Sequence, residues 1–353
     1  MKVLTVIGNR PQFIKAAAVT PELRRRHEEV MVHTGQHFDE ELSAVFFAEL
    51  GLPSPERELG VALGSNTSQT ARMLGALEPV IEEVAPEAVL VYGDTNSTLA
   101  GALAGAQAGL PVAHVESGMR SFDRSMPEEL NRALTDHAST LLLCSSQAAA
   151  SNLHEEGVRG LVEVVGDVMV DVALKVQPLA REKVELLSAH GLERGRYVLA
   201  TAHRAGNVDD PARLERLVEL LRSVPMTVIW PLHPRTRARL QQHDLLDRLA
   251  EVILTPPLGY IELTALLCNA RAVMTDSGGL QKESYLAGIP CVTLRATTEW
   301  TETVEHGWNT LVDLDAQAAL AALDHEPPVN RPALYGDGRA GERVVSALTL
   351  RLR

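Results

Sequence analysis

The chain has 353 residues, with 33 basic and 46 acidic side chains and a formal net charge of −13 at pH 7. This length predicts two domains, and 45% hydrophobic with 22% charged residues is a globular composition. The acidic balance argues against nucleic acid or an anionic membrane as a partner. The three cysteines have no metal-ligand or disulfide spacing, and no targeting or membrane-spanning segment is found, so we expect a cytoplasmic protein.

Short apolar runs alternate with helical patterns along the whole chain. The predicted strands of the first half are Val3–Ile7, Val30–His33, Ala88–Val91, Val112–Val115, Leu141–Cys144 and Val162–Val165. Those of the second half are Tyr197–Thr201, Thr227–Trp230, Val252–Leu254, Ala272–Thr275 and Cys291–Leu294. The predicted helices include Glu40–Leu50, Ser97–Ala108, Glu128–Ala138, Pro211–Arg222 and a final Arg343–Leu350. Two series of this kind predict an α/β protein with two doubly wound parallel sheets.

Three glycines, Gly101, Gly105 and Gly109, lie four residues apart in and after the predicted helix Ser97–Ala108. Such spacing is also found where helices pair in membranes. In a globular chain it indicates a helix that packs closely on a sheet, and this is our interpretation.

Charged side chains follow the predicted strands of the first half, at the edge where ligands bind to open α/β sheets. Arg10 and Lys15 follow the first strand, Asp94 follows Ala88–Val91, and Glu116 follows Val112–Val115, with Glu128 further on. Any one of these carboxylates could cap a helix, and Glu128 stands directly after Pro127 at a predicted helix start. If the three converge, they would raise one another's pKa and supply a base and an acid near neutral pH.

The second half predicts a phosphate site. Ser277-Gly278-Gly279 stands at a helix start, where free N–H groups bind phosphate, although Ser277 could also be a simple cap. Glu283 could accept from ribose hydroxyls or favour the helix start, and His203 could be a phosphate donor, an acid or a surface imidazole. No G-x-G-x-x-G motif supports a dinucleotide cofactor, and no histidine cluster supports a metal.

Taken in order, these stretches resemble the non-hydrolysing UDP-N-acetylglucosamine 2-epimerases across nearly the whole chain. The matching segments are Gly8–Lys15 (G-x-R-P-x-x-I-K), Thr34–His37, Gly93–Thr98, His114–Arg120, Pro127–Arg132, Thr201–Arg204, Asp276–Gly279 and Gly288–Pro290. The resemblance implies a GT-B-like pair of Rossmann-like domains with the active site in the interdomain cleft, usually in a homodimer. It places residues 1–168 and a C-terminal helix, 338–353, in the first domain and residues 169–337 in the second.

The family interconverts UDP-GlcNAc and UDP-ManNAc without a cofactor. The C2 proton of the sugar is not acidic, so a base removes it while UDP leaves from C1, and UDP then adds again to 2-acetamidoglucal as a proton arrives on the opposite face. By resemblance Asp94, Glu116 and Glu128 supply the acid and base groups. The groups that stabilise the departing UDP are then Arg10, His203 and the turn Ser277, Gly278 and Gly279, with Lys15 and Arg204 as nearby charges in the substrate site.

The remaining assignments also come from the resemblance. Glu283 matches the residue that holds the ribose, and Leu258 and Tyr260 lie in a segment placed like the loop that contacts uracil. Many bacterial members bind a second UDP-GlcNAc as an activator, and the further matching positions here are Gln36, Arg72 and His233. Asp39 replaces the glutamine that is usual in those members.

Two other departures from the family pattern bear on the substrate. The family commonly reads H-R-x-E-N where this chain has Gly206 in place of the glutamate, which predicts a looser orientation of Arg204. Thr298–Glu302 replaces the commoner T-E-R-P-E with a Glu-Trp form, which is similar to relatives acting on diacetamido uronic acids or other modified UDP-sugars. Rival interpretations are a GT-B glycosyltransferase, a hydrolysing epimerase that releases UDP, and a UDP-sugar sensor without turnover.

Overall fold

The computed structural model describes residues 1–36, 47, 49–124 and 126–352. Two compact units make up the chain, Met1–Leu174 with Tyr335–Arg353, and Lys175–Leu334. The predicted helix Glu40–Leu50 lies for the most part, and Asp39 entirely, outside the described residues.

Seven of the described strands lie in the first unit and six in the second. They are β1 (Lys2–Ile7), β2 (Glu28–His33), β3 (Arg57–Glu58), β4 (Ala88–Tyr92), β5 (Val112–Ser117), β6 (Leu141–Cys144), β7 (Leu161–Val164), β8 (Tyr197–Thr201), β9 (Thr227–Pro231), β10 (Val252–Thr255), β11 (Ala272–Thr275), β12 (Cys291–Thr293) and β13 (Asn309–Leu311). Sequence analysis missed β3 and β13. The first is two exposed residues, and the second is three residues beginning with Asn309, so neither has the apolar pattern that predicts a strand.

Helices follow most of the strands. They are α1 (Arg10–Arg26), α2 (Asn66–Val84), α3 (Asn96–Gln107), α4 (Pro127–Ala138), α5 (Gln147–Glu155), α6 (Val168–Arg181), α7 (Val184–Ala189), α8 (Ala205–Val208), α9 (Pro211–Ser223), α10 (Pro234–Gln242), α11 (Tyr260–Asn269), α12 (Gly278–Ala287), α13 (Thr301–Glu305), α14 (Ala316–Asp324) and α15 (Ala340–Arg351). A 3₁₀ turn covers Leu246–Leu249. Within the described residues, no helix is both long and apolar enough to span a bilayer.

Both sheets are parallel throughout, which confirms the predicted fold class. The first has the strand order β3-β2-β1-β4-β5-β6-β7 and the second β10-β9-β8-β11-β12-β13. The order reverses between β1 and β4 and again between β8 and β11. In doubly wound sheets, ligands bind outside the carboxyl ends of the strands at such a reversal. The residues that follow β1 and β4, and those that follow β8 and β11, are therefore where a site is expected.

Helix α3 packs closely on the first sheet because two of its glycines face strands. A Cβ atom at Gly101 would lie 2.9 Å from Val91, and one at Gly105 would lie 2.8 Å from Val89. Gly109 has another role, because its φ of +73° forms the turn after the helix and nothing lies within 4 Å of its Cβ position. The predicted close packing therefore applies to the first two glycines.

The C-terminal helix α15 packs against α1 within the first unit. His27 Nε2 lies 2.8 Å from Thr349 Oγ1, and a side chain at Gly341 would overlap the carbonyl of Ala18. The helix begins three residues earlier than predicted because Asp171 accepts hydrogen bonds from the free N–H groups of Ala340 and Gly341, at 3.0 and 2.8 Å.

Candidate active site

The first turn of α1 is held against the end of β4. Gly8 N–H donates to Gln12 Oε1, and Gln12 Nε2 donates to the Tyr92 carbonyl at 2.9 Å. A side chain at Gly8 would overlap the hydroxyls of Thr34 and Ser97, which are themselves 2.8 Å apart. These contacts bring the helix that carries Arg10 and Lys15 to the point where the strand order reverses.

Lys15 and Glu116 form an ion pair between α1 and the end of β5. The two side chains are 10% and 14% exposed. Glu116 has a φ of +70° and lies where the register of β5 shifts between Val115 and Ser117. A left-handed glutamate at a bulge costs about 1–3 kcal/mol and persists only where the surroundings impose it, often at functional sites. Two predicted site residues are therefore in contact, and one of them has a strained backbone.

Asp94 is paired with a residue that sequence analysis did not single out. Arg132 Nη2 lies 2.5 Å from Asp94 Oδ2, and its Nη1 lies 3.1 Å from Glu129. Burial lowers the pKa of Arg132, but the charges of Asp94 and Glu116 and the hydrogen bonds outweigh burial and raise it. Arg132 therefore lies within the field of both carboxylates. Arg132 is the last residue of the matched segment Pro127–Arg132, but no neighbouring residue in the sequence indicated that it would pair with Asp94.

Glu128 lies on the first turn of the same helix, where Pro127 is the first residue and the N-cap Met126 makes no side-chain capping hydrogen bond with the described residues. It is exposed, and it precedes Asn131 and Arg132 by three and four residues. Asn131 donates to the Asp94 carbonyl at 3.0 Å. Because residues three and four apart share a helix face, Glu128 is on the face of α4 that contacts Asp94. The three carboxylates thus share one region, but Asp94 and Glu116 each have their own cation.

In the second unit, Asp276 organises the segment that follows β8. This fully buried carboxylate accepts hydrogen bonds from the backbone N–H groups of His203 and Arg204, at 3.1 and 3.0 Å, and from Asn207 Nδ2 at 3.1 Å. His203 remains half exposed at the end of the strand, with Nδ1 3.6 Å from Asp276. The carboxylate at the end of β11 thus positions two predicted substrate-binding residues at the end of β8.

The predicted phosphate-binding turn, Ser277-Gly278-Gly279, lies at the start of α12. Ser277 is its N-cap but accepts no side-chain capping hydrogen bond from the described residues, so the simple-cap alternative loses its support. Gly278 has no room for a side chain because it would overlap the Glu299 carboxylate, and Trp300 Nε1 donates to the Gly278 carbonyl at 2.8 Å. A helix N-terminus with exposed N–H groups favours phosphate.

Tyr260 and Glu283, predicted to meet the uracil and the ribose, are close enough to interact. Burial raises the pKa of Tyr260 well above its usual value, and the charge of Glu283 raises it further. Tyr260 is the first residue of α11, and Leu258 is half-buried just before it. The structure therefore brings these predicted nucleoside contacts to one part of the second unit.

Comparison with known proteins decides the family. A family model described as UDP-N-acetylglucosamine 2-epimerase matches residues 21–349. The chain belongs to this family. A UDP-N-acetylglucosamine 2-epimerase homolog of Methanococcus maripaludis is 43% identical, and a UDP-2,3-diacetamido-2,3-dideoxy-D-glucuronate 2-epimerase of Pseudomonas aeruginosa is 44% identical, each match covering 99% of both chains.

A solved structure agrees with this assignment. Methanocaldococcus jannaschii UDP-GlcNAc 2-epimerase, in complex with UDP-GlcNAc and UDP, superposes with a TM-score of 0.91 at 38% identity, covering 99% of both chains. UDP-GlcNAc 2-epimerase from Neisseria meningitidis bound to UDP-GlcNAc gives a TM-score of 0.87 at 29% identity, covering 99% of this chain and 100% of that chain. These neighbours share the GT-B-like fold predicted from the family motifs.

Gly206 removes the family's usual carboxylate, and Arg204 lies near a different one, Glu299. No atom of the described residues lies within 4 Å of a Cβ position at Gly206. Glu299 Oε1 lies 3.7 Å from Arg204 Nη2, and its Oε2 accepts from Arg295 at 2.8 Å. Burial raises the pKa of Glu299, but the charges of Arg295 and Arg204 and the hydrogen bonds have a larger effect. The pKa of Glu299 therefore lies below its usual value. The anionic Glu299 therefore orients Arg204.

The three residues that match the family's activator site have local partners. Gln36 Oε1 accepts from Ser97 N–H and Oγ at 3.0 and 2.7 Å, and exposed Arg72 donates to the Ser68 carbonyl at 3.3 Å. In the second unit, His233 caps α10, and its ring centroid lies 6.3 Å from that of His203. Binding of a second UDP-sugar stays a prediction. Among the described residues, no group of three or more histidine, cysteine or acidic side chains could hold a metal ion.

Proposed function

We propose that this chain is a non-hydrolysing UDP-GlcNAc 2-epimerase that interconverts UDP-GlcNAc and UDP-ManNAc by elimination and re-addition. The observation that carries the proposal is the pairing of Glu116 with Lys15 and of Asp94 with Arg132 where the first sheet reverses its strand order. Epimerisation at C2 needs groups that take and give protons at carbon, and carboxyl groups can do both.

In the first step a carboxylate takes the C2 proton while the bond between C1 and the diphosphate oxygen breaks. The bonding electrons leave with UDP, and the C1–C2 double bond of 2-acetamidoglucal forms. In the second step the diphosphate oxygen adds to C1, and an acid on the opposite face delivers a proton to C2. Asp94, Glu116 and Glu128 share these base and acid roles, and the strained backbone of Glu116 fixes the direction of its side chain.

The leaving diphosphate gains negative charge in the transition state, so donors aimed at it lower the barrier. Ser277, Gly278 and Gly279 offer the helix N-terminus, and Arg204, Arg10 and His203 offer cationic or N–H groups. Glu283, Tyr260 and Leu258 hold the nucleoside. We further propose that the protein is a homodimer in the cytoplasm, where its three buried free thiols would stay reduced.

A second candidate substrate class is a UDP-diacetamido uronic acid. Two observations favour it: the Pseudomonas aeruginosa relative at 44% identity is named for such a substrate, and Trp300 replaces the arginine of the commoner family motif. Trp300 is buried, and Lys282 Nζ lies 4.5 Å above its ring. The reaction and the catalytic groups are the same for both substrates.

Proton NMR of the purified protein with UDP-GlcNAc in D₂O tests the proposal. Deuterium at C2 together with a UDP-ManNAc signal is expected, and the Glu116→Gln variant should lose this exchange but still bind UDP. An Arg10→Ala variant should bind UDP more weakly. Exchange only with UDP-diacetamido uronic acids would move the assignment to that class, release of free UDP would indicate a hydrolysing enzyme, and tight binding without exchange of any sugar would identify a sensor.

A further inference from the structure

The buried side chains of His114, Asp136 and Arg120 form a cluster next to the strand ends that carry Asp94 and Glu116. His114, on β5, is fully buried, and its two ring nitrogens are both within hydrogen-bond distance of acceptors. Nδ1 lies 2.7 Å from Asp136 Oδ1 on α4, and Nε2 lies 2.7 Å from the carbonyl oxygen of Gly93. Gly93 directly precedes Asp94, so the ring joins β5 to the end of β4.

The Asp136 carboxylate is surrounded by donors. Besides His114, it accepts from Arg120 Nη1 at 2.8 Å and from the Gly118 N–H at 3.1 Å. Burial raises the pKa of Asp136, but His114 and Arg120 outweigh it, so the pKa lies below its usual value. Arg120 extends the chain of contacts to Glu156, with which it makes two hydrogen bonds of 2.7 and 2.6 Å.

The hydrogen-bond acceptors around His114 determine the protonation state of its ring. A backbone carbonyl and an ionised carboxylate can only accept, so a neutral ring, which has one N–H, would turn a lone pair toward one of them. Because the ring has acceptors on both sides, both nitrogens must carry protons. The imidazolium and Arg120 both face the buried Asp136, and Arg120 also pairs with the exposed Glu156, so two positive charges are matched by two negative ones.

We propose that His114 is held as an imidazolium and acts as a positioning residue that ties together the strand ends carrying Asp94 and Glu116. Its Nε2 holds the peptide before Asp94, and Asp136, which it pairs with, holds Gly118, two residues after Glu116. Charged groups from several elements face this ring and the peptides of Gly93 and Gly118. Asp136 comes from α4, Arg120 comes from the segment after β5, and Glu156 lies beyond Arg120. Lys15 comes from α1, and its Nζ lies 2.8 Å from the Cβ position of Gly93.

This arrangement gives a role to His114, which lies in the matched segment His114–Arg120 but has no part in the catalytic assignment. His114 belongs to a family segment, but it cannot reach a substrate because it is fully buried. A shift of about 1 Å at a reacting group can cost about 100-fold in rate. A residue that sets the spacing of Asp94 and Glu116 would therefore change turnover without changing how tightly UDP binds. The inference rests on the proposed epimerase function.

Nitrogen-15 NMR of the full-length wild-type protein, labelled at histidine, tests the protonation state directly and does not depend on activity. We expect the ring of His114 to show two protonated nitrogens. The His114→Gln variant identifies the signals by their loss. A ring with one unprotonated nitrogen would overturn the proposal even if the enzyme is fully active.

Kinetics of C2 exchange test the positioning role. In His114→Gln and Asp136→Asn we expect kcat to fall about 10- to 100-fold, with KM and the Kd of UDP within about twofold of wild type. His137→Gln is the matched control, because His137 lies on α4 next to Asp136 and is exposed. Wild-type kcat in both folded variants would also overturn the proposal. If the wild type turns over no UDP-sugar, the proposed function is wrong. The NMR experiment still tests the protonation state of His114, because it does not depend on activity.

Discussion

The ion pair between Lys15 and Glu116 makes the sharpest prediction, because it is nearly enclosed and its loss should affect both stability and turnover. The side chains are 10% and 14% exposed. Two opposite charges in contact at such a site interact by about 4 kcal/mol at an effective dielectric constant near 20. Removing one partner leaves the other buried with less opposite charge around it, which costs up to about 3–5 kcal/mol. We therefore expect Lys15→Met and Glu116→Gln each to lose about 3 kcal/mol of unfolding free energy.

The double variant should be no less stable than either single variant, because no unpaired charge remains. The expected coupling free energy is about 2–3 kcal/mol, measured by urea unfolding of the wild type and the three variants. The pair Arg339–Glu342 is the control. Its side chains are 66% and 52% exposed, so its coupling should stay below about 1 kcal/mol. Glu116→Gln should also lower C2 exchange about 10²- to 10⁴-fold, as expected for loss of an acid–base group. A coupling no larger than that of the exposed pair would refute the burial argument.

Three further predictions follow from individual contacts. Gly8→Ala should lose about 2–4 kcal/mol of stability because its methyl group displaces two hydrogen-bonded hydroxyls, whereas Gly75→Ala, in an open helical position, should gain about 0.5–1 kcal/mol. Trp300→Phe removes the N–H donor to Gly278 and should weaken UDP binding while leaving C2 exchange measurable at saturating substrate; unchanged affinity would argue against that contact. The lowered pKa of Asp136 means that its stabilising effect is present above about pH 4 and is lost as pH falls through the folded-state pKa. The stability difference between wild type and Asp136→Asn in urea should accordingly shrink at low pH, and a constant difference would contradict this.

The fold could be predicted from local pattern because most strands contain a short apolar run. Strand β4, for example, is buried at all five residues, and its range differs from the predicted Ala88–Val91 by only Tyr92. The bounds of α15 were less accurate, since its first turn depends on Asp171, which lies 169 residues earlier in the chain. A partner so far away leaves no signal in the residues beside the helix.

For the candidate site, the sequence predicts which residues belong to it but not which of them are in contact. Motif order was sufficient to single out Lys15, Asp94 and Glu116, because the ends of parallel strands lie along one edge of a sheet. It did not show that Lys15 would pair with Glu116. Nor did it show that Arg132 would hold Asp94, since a lone arginine on a helix is usually a solvated surface residue.

The sequence by itself therefore determined the fold class, the family and the chemical types at the ends of the strands, since all of these depend on local pattern and residue order. Only the tertiary structure decided the charge partners, the left-handed backbone of Glu116 and the buried contacts of His114. These depend on distances between segments that are far apart along the chain. The free energy of an ion pair or a buried hydrogen bond depends on the final separation and burial of its atoms, and neither is written in the order of residues.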